Sequence, residues 1–152
     1  MPMSDAYLHF SKSQSLAGLA GSSGTLFPGT YELDFETTAL PDGVTTQAYP
    51  DKGSGSPLVV RFQIEVAPTV ATYISFCLCF DTATCVPSTT PTIVKETAPI
   101  AVSALTVGAY IPELKIPDQH ARFMNVGYYI VGTPGVGTVT AYIDITTGQR
   151  HR

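Results

Sequence analysis

Residues 58–66 read Leu-Val-Val-Arg-Phe-Gln-Ile-Glu-Val, with Val60, Phe62, Ile64 and Val66 on one side and Arg61, Gln63 and Glu65 on the other. Successive side chains of a strand point to opposite faces, so this period of two predicts a half-buried strand. The pattern recurs at 30–36, where Tyr31, Leu33 and Phe35 oppose Glu32, Asp34 and Glu36. It recurs again at 138–145, where Val139, Ala141, Ile143 and Ile145 oppose Thr138, Thr140, Tyr142 and Asp144. Two further segments, 73–80 and 121–131, are apolar on both faces. Weaker extended segments are predicted at 92–102, with Pro99 at an edge or bend, and at 109–117. Gly and Pro punctuate these runs, and the long stretch 40–57, with its Pro-Asp-Gly and Gly-Ser-Gly-Ser-Pro segments, reads as an exposed loop. Seven or eight strands at this spacing predict an all-β antiparallel sandwich or barrel. Residues 1–28 carry apolar positions without a sustained period and are read as an extended N-terminal arm, with a weak helical turn near 17–19. The sandwich domain is assigned to 29–147 and a solvated C-terminal tail to 148–152.

Composition narrows the function classes. Of 152 residues, 44% are hydrophobic, enough for a packed core in a single domain, while only 13% are charged. The net charge of −4 and the scatter of eight basic residues argue against direct nucleic-acid binding. The N-terminus lacks the pattern of a signal peptide, and no apolar window is long enough to span a membrane. An odd number of cysteines then fits reduced thiols in a chain made in a cytoplasm.

All three cysteines fall in the stretch Thr72-Tyr-Ile-Ser-Phe-Cys-Leu-Cys-Phe-Asp-Thr-Ala-Thr-Cys85. On a strand, Cys77 and Cys79 share one face while Ile74, Phe76, Leu78 and Phe80 fill the other. Such positions lie roughly 6.5–7 Å apart, at the outer limit for a disulfide. Cys85 approaches Cys79 only if the intervening turn is tight. Zinc needs about four ligands at paired spacings, and His9, His120 and His151 are all distant in sequence. The residues therefore favour structural cysteines over a metal or redox site. His120 beside Asp118 and Arg122 is better read as surface pairing than as catalysis, and the acidic stripe Glu32, Asp34 and Glu36 as a solvated strand face. Gly132-Thr-Pro-Gly-Val-Gly-Thr138 lacks the Gly-Lys-Ser/Thr ending of a phosphate loop and reads as a hairpin turn. No catalytic residue, metal site or cofactor is assigned, and no enzymatic activity is expected.

The two strands that are apolar on both faces call for a cover on the second face, because a two-layer sandwich buries only one face of each sheet. A homo-oligomer is predicted, with Leu8, Phe10, Leu16, Tyr73, Cys77, Cys79, Phe123 and Tyr129 at an interface with another subunit or a further partner. Either the arm or a neighbouring subunit is expected to cover the cysteine face. Removal of residues 1–16 is expected to weaken assembly and leave the sandwich folded.

Both ends of the chain carry a family resemblance. Asp5, Leu8, Phe10, Ser11, Gln14 and Leu16 near the start, and Arg122, Phe123, Tyr128, Gly137, Val139 and Ala141 near the end, resemble the capsid cement (decoration) proteins of tailed bacteriophages, of the type described for Bordetella phage. The 40–57 loop and the three cysteines depart from that pattern. The resemblance implies a jelly-roll-like sandwich that assembles as a homotrimer. It also implies a place on the outer capsid surface of a virion, where the protein clamps neighbouring major capsid protein subunits against the pressure of packaged DNA. The alternative is a carbohydrate- or receptor-binding β-module, for which Tyr49, Tyr110 and Tyr142 are the available aromatics.

Overall fold

The computed structural model describes residues 9–19, 21–34, 58–83, 85, 92–117 and 121–145. Among them ten strands form: β1 His9–Ser15, β2 Gly21–Pro28, β3 Leu33–Asp34, β4 Leu58–Val66, β5 Tyr73–Asp81, β6 Thr92–Glu96, β7 Ile100–Ala101, β8 Leu114–Lys115, β9 Phe123–Gly132 and β10 Thr138–Ile145. The described residues contain no α-helix, and a single 3-10 turn covers Val102–Ala104.

The strands form two antiparallel sheets. The first has the order β1-β10-β4-β8; the second has the order β2-β9-β5-β6, with β3 also on β9 and β7 also on β5. Each outer edge of the second sheet is thus one interrupted strand. Between β2 and β3 the Gly29 amide donates to the Val126 carbonyl at 2.9 Å. Between β6 and β7 Thr97 bridges to Phe76: its amide donates to the Phe76 carbonyl (2.9 Å) and its Oγ1 accepts from the Phe76 amide (3.0 Å). The chain passes repeatedly from sheet to sheet, and apart from β5 and β6 the neighbours along each sheet order are not consecutive in sequence. This is the paired Greek-key order of the jelly roll.

The core lies between the sheets. Val60, Phe62 and Ile64 of β4 meet Ile74, Phe76, Leu78 and Phe80 of β5 and Met124, Val126, Tyr128 and Ile130 of β9, all buried. Phe62, Phe76 and Tyr128 form an aromatic trio with centroids 4.9–6.2 Å apart. The two Tyr128 contacts are edge-on, the geometry that ring quadrupoles favour.

Residues 9–28 are not an arm, and this corrects the expected extension over 1–28 for those residues. β1 lies against β10 at one edge of the first sheet and β2 against β9 at one edge of the second. The alternation is broken by a bulge. Ser11 pairs with Ala141 and Gln14 with Val139, so β1 carries one more residue than β10 between these pairs, and Ser13 has a φ of 48°. The Ser13 amide, turned out of the ladder, donates to Thr140 Oγ1 at 2.9 Å. Both hydroxyls then converge on Glu65, Ser13 Oγ at 2.5 Å and Thr140 Oγ1 at 2.6 Å. These two bonds, the Ser13 one foremost, hold the Glu65 carboxyl below its ordinary range. The turn at 17–18 is a turn and not a helix. Two apolar positions also differ from their predicted orientation: Val66 at the end of β4 is 47% exposed and Tyr31, which precedes β3, is 57% exposed. Val66 sits where the β4–β10 register shifts, so the period of two ends before it.

β1 meets β9 and the end of β2 at a buried seam between the sheets. Tyr128 OH donates to Ser11 Oγ (2.8 Å), Ser11 Oγ donates to Gln14 Oε1 (2.6 Å), and the Gln14 amide reaches the Pro28 carbonyl (3.2 Å). Gln14 Oε1 also accepts from the Thr30 amide (3.1 Å). Leu16, fully buried, donates its amide to the Gly137 carbonyl at 2.8 Å. Gly137 has a φ of +135°, and a Cβ there would lie 3.0 Å from Pro68 Cα, so a side chain is disfavoured on both counts. Of the residues that carry the family resemblance, Phe10, Ser11, Gln14, Leu16, Tyr128, Gly137, Val139 and Ala141 all belong to this seam or to the core beside it.

Candidate interaction surface

The second face of β5 and β9 is where the sequence reading locates an interface. Register brings together Tyr73 with Val131, Ser75 with Tyr129, Cys77 with Gly127, Cys79 with Asn125, and Asp81 with Phe123. The structure divides this face into a closed part and an open part.

The closed part holds the cysteines. Cys77 and Cys79 are fully buried within the single chain, so their assignment to an interface is corrected. The cover comes partly from β2. A Cβ placed on Gly127 would lie 2.5 Å from Leu26 Cδ1 and 3.1 Å from Cys79 Sγ, so the Leu26 side chain occupies the space that glycine leaves. Further cover comes from Cys85, which is itself buried and pinned through its backbone. Its amide donates to Glu32 Oε2 (2.5 Å) and its carbonyl accepts from Asn125 Nδ2 (2.6 Å). The same Asn125 nitrogen donates to the Gly29 carbonyl at 3.0 Å. Asn125, fully buried, thereby ties the β2–β3 junction to the segment after β5.

The three cysteines are free thiols. Burial pushes Cys77 and Cys79 up to about 12, with the Glu96 carboxylate adding to the first and the neighbouring thiols to the second. Burial, then Asp81 and Glu32, pushes Cys85 up to about 11. A thiolate is the form that attacks or binds metal, and these groups hold their protons far above neutral pH. No cluster of three or more His, Cys, Asp or Glu side chains suited to a metal occurs among the described residues. In the acidic stripe, Glu32 is committed to Cys85, while the Asp34 side chain and Glu36 lie outside what is described, as do Asp118 and His120. Arg122 sits over the Phe123 ring at 4.7 Å.

The open part lies at the other end of the same face. Half-buried Tyr73 and Tyr129 flank a groove of about 280 Å³ that Ser75, Ile93, Glu96, Thr97 and Pro99 complete. Beside it runs β6, the outermost strand on this side of the sheet among the described residues, with Ile93 38% and Val94 46% exposed. A sheet edge with exposed apolar side chains is a surface that a further chain readily extends or covers. Of the eight predicted interface residues, Tyr73 and Tyr129 meet here. Phe123 is half-buried at the far end of the strand pair, beside Asp81. Phe10 and Leu16 are core residues, 2% and 0% exposed, and are withdrawn as interface residues. Leu8 lies outside the described residues. Ile93 and Val94 were missed because an alternating pattern is weak over Thr92–Glu96; the free edge is visible only once the strand order is known.

A family model described as Bbp16, named after a Bordetella phage protein, matches residues 34–143, well over half of the chain. No curated protein matches the chain. No helix among the described residues is long and apolar enough to cross a membrane.

Proposed function

The chain belongs to the phage-related Bbp16 family, and from that premise we propose that it is a non-enzymatic capsid cement protein. In this reading it assembles as a homotrimer and sits on the outer capsid surface of the virion. There it clamps neighbouring major capsid protein subunits against internal DNA pressure, binding neither nucleic acid nor membrane. The observation that carries the reading is the open end of the second sheet, where Tyr73, Tyr129 and Ile93 border a groove of mixed polarity next to the strand that is outermost among the described residues. The physical task is mechanical. A subunit that touches two capsomers makes their separation cost additional contacts. A trimer joins three weak footprints through effective concentration, so no single footprint has to be strong. Two rigid sheets tied by a buried seam suit a part that must carry load without deforming.

The test is native mass spectrometry followed by co-sedimentation with purified phage heads. The expected outcome is a trimer that pellets with assembled shells and stays in the supernatant with free coat subunits. Ile93→Glu and Tyr129→Glu should reduce pelleting while the circular dichroism spectrum keeps its β signature. A monomer that ignores shells overturns the proposal.

A further inference from the structure

The first sheet carries a second concavity on its outward face. Arg61 and Gln63 of β4, Tyr142 of β10, and Tyr110 and Glu113 of the segment before β8 line a groove of about 340 Å³. That size falls at the small end of ligand sites, which run roughly 300–1,000 Å³. The geometry points to a binding site for a short neutral saccharide, on the sheet opposite the proposed capsid-facing surface and independent of that role.

Four observations carry this. The first is Tyr110, 81% exposed, whose ring contributes nothing to the core. Its position is nevertheless built. The Ala109 amide donates to the Thr106 carbonyl at 2.9 Å, and Gly108 at the third place of that turn has a φ of +77°, the value a type II turn requires. A turn of defined geometry therefore immediately precedes an exposed aromatic side chain of the groove lining. The second is Tyr142, a half-buried residue of the same lining whose ring lies 5.8 Å from that of His9. The third is a set of ion-paired polar groups, with Arg61 and Glu113 in the lining and Asp144 beside it. Arg61 is held at 2.9 Å by Glu113 and at 3.0 Å by Asp144, and all three side chains are about a third exposed or less. The ion pairs fix donors and acceptors in place before any ligand arrives, which lowers the ordering cost of binding. The fourth is charge: one guanidinium faces two carboxylates in a chain of net charge −4, which disfavours an anionic ligand.

Sugars match this combination. A pyranose has an apolar C–H face that stacks on an aromatic ring, and a rim of hydroxyls that both donate and accept. Planar carboxylate, guanidinium and carboxamide groups meet vicinal hydroxyls in pairs. A nucleotide also stacks, but its phosphates meet Glu113 and Asp144.

The experiment is a titration of the isotope-labelled full chain, followed through its amide resonances. The probes are glucose, galactose, N-acetylglucosamine and their β-linked disaccharides, with sialyllactose as the anionic comparison. The expected result is saturable shifts at residues 61–63, 108–111 and 142 with at least one neutral probe. Tyr110→Ala should weaken that binding by about tenfold or more, the loss of one stacked ring, and Ile93→Ser on the other sheet should leave it unchanged. Absence of shifts with every neutral probe overturns the inference, as does binding that survives Tyr110→Ala. Tighter binding of sialyllactose than of lactose overturns the neutral class.

Discussion

The Tyr128 hydroxyl donates to Ser11 Oγ at 2.8 Å across 117 positions of sequence, inside the core, where both residues are fully buried. This bond joins β9 of the second sheet to β1 of the first, and the Ser11 hydroxyl in turn donates a hydrogen bond to Gln14 Oε1. The two partners are not equivalent. Tyr128→Phe removes a donor and leaves Ser11 with its bond to Gln14, an expected loss of about 1 kcal/mol. Ser11→Ala strands the Tyr128 hydroxyl in the core, an expected loss of about 1–3 kcal/mol. The double variant should be less destabilised than the sum of the two, because the stranded hydroxyl is gone. Urea unfolding of the four proteins measures the coupling. Strict additivity would show that the bond carries no energy.

The thiols predict a base-labile fold. Each has an ordinary value near 9.0 and a folded value of about 11 or 12. The folded state therefore keeps protons that the unfolded chain releases, so this stability is complete below pH 9 and declines as pH rises towards 12. The slope is about 1.4 kcal/mol per pH unit for each thiol at its steepest. Tyr128, whose ionisation burial also opposes, adds a loss of the same sign at still higher pH. Denaturation midpoints at pH 7, 9 and 10.5 check this, and Cys77→Ala should flatten the decline. A midpoint indifferent to pH across that range contradicts the burial of the thiols. At pH 7.5 an alkylating reagent should modify none of the three cysteines until denaturant is added.

Gly137 yields a third prediction. Its backbone accepts from Leu16 and its φ of +135° disfavours any side chain, while Pro68 stands 3.0 Å from where a Cβ would be. Gly137→Ala should destabilise by roughly 2 kcal/mol or more, combining backbone strain with a clash that only backbone movement relieves. A thermal melt within error of the parent protein would mean that the turn re-forms without the seam.

The legible parts of the fold are those where period and burial coincide. β4, β5, β9 and β10 each follow from alternation or from a run apolar on both faces, and Ile74, Phe76, Leu78 and Phe80 face the core as their spacing requires. β1 and β2 were not legible as strands. The bulge at Ser13 breaks the period, and both strands are stabilised by partners more than a hundred residues away. Removing residues 1–16 would therefore take out β1, Phe10 and Leu16 and is expected to unfold the sandwich. The cysteine face was legible as a second apolar face, and one of the two covers expected for it, the segment 1–28, supplies Leu26, though as a strand of the sheet and not as an arm; the details of the cover were not legible. That cover depends on Leu26 entering the gap at Gly127 and on Cys85 turning back, neither of which leaves a periodic trace. The open groove at Tyr73 and Tyr129 was half legible, because its other wall is an edge strand defined only by sheet order.

Val70 is a strained position on an exposed turn. It has a φ of +73° and is 82% exposed, at the centre of a tight turn in which the Ala71 amide donates to the Thr69 carbonyl at 2.9 Å. The same carbonyl accepts from the Gly135 amide at 3.0 Å, which docks the β4–β5 turn on the β9–β10 turn. Such γ-turns with positive φ are rare, and a β-branched residue there is held against its preference at about 1–3 kcal/mol. Glycine would remove the strain at an entropic cost of about 0.5–1 kcal/mol, and little burial is lost from so exposed a side chain. Val70→Gly should therefore stabilise the isolated protein by about 1 kcal/mol in urea unfolding. If the valine is retained because its exposed methyls touch a partner in the assembled particle, the more stable variant should pellet less well with phage heads. A variant that gains stability and pellets as before assigns the strain to no contact with the shell. One that loses stability shows that the turn geometry depends on the side chain itself.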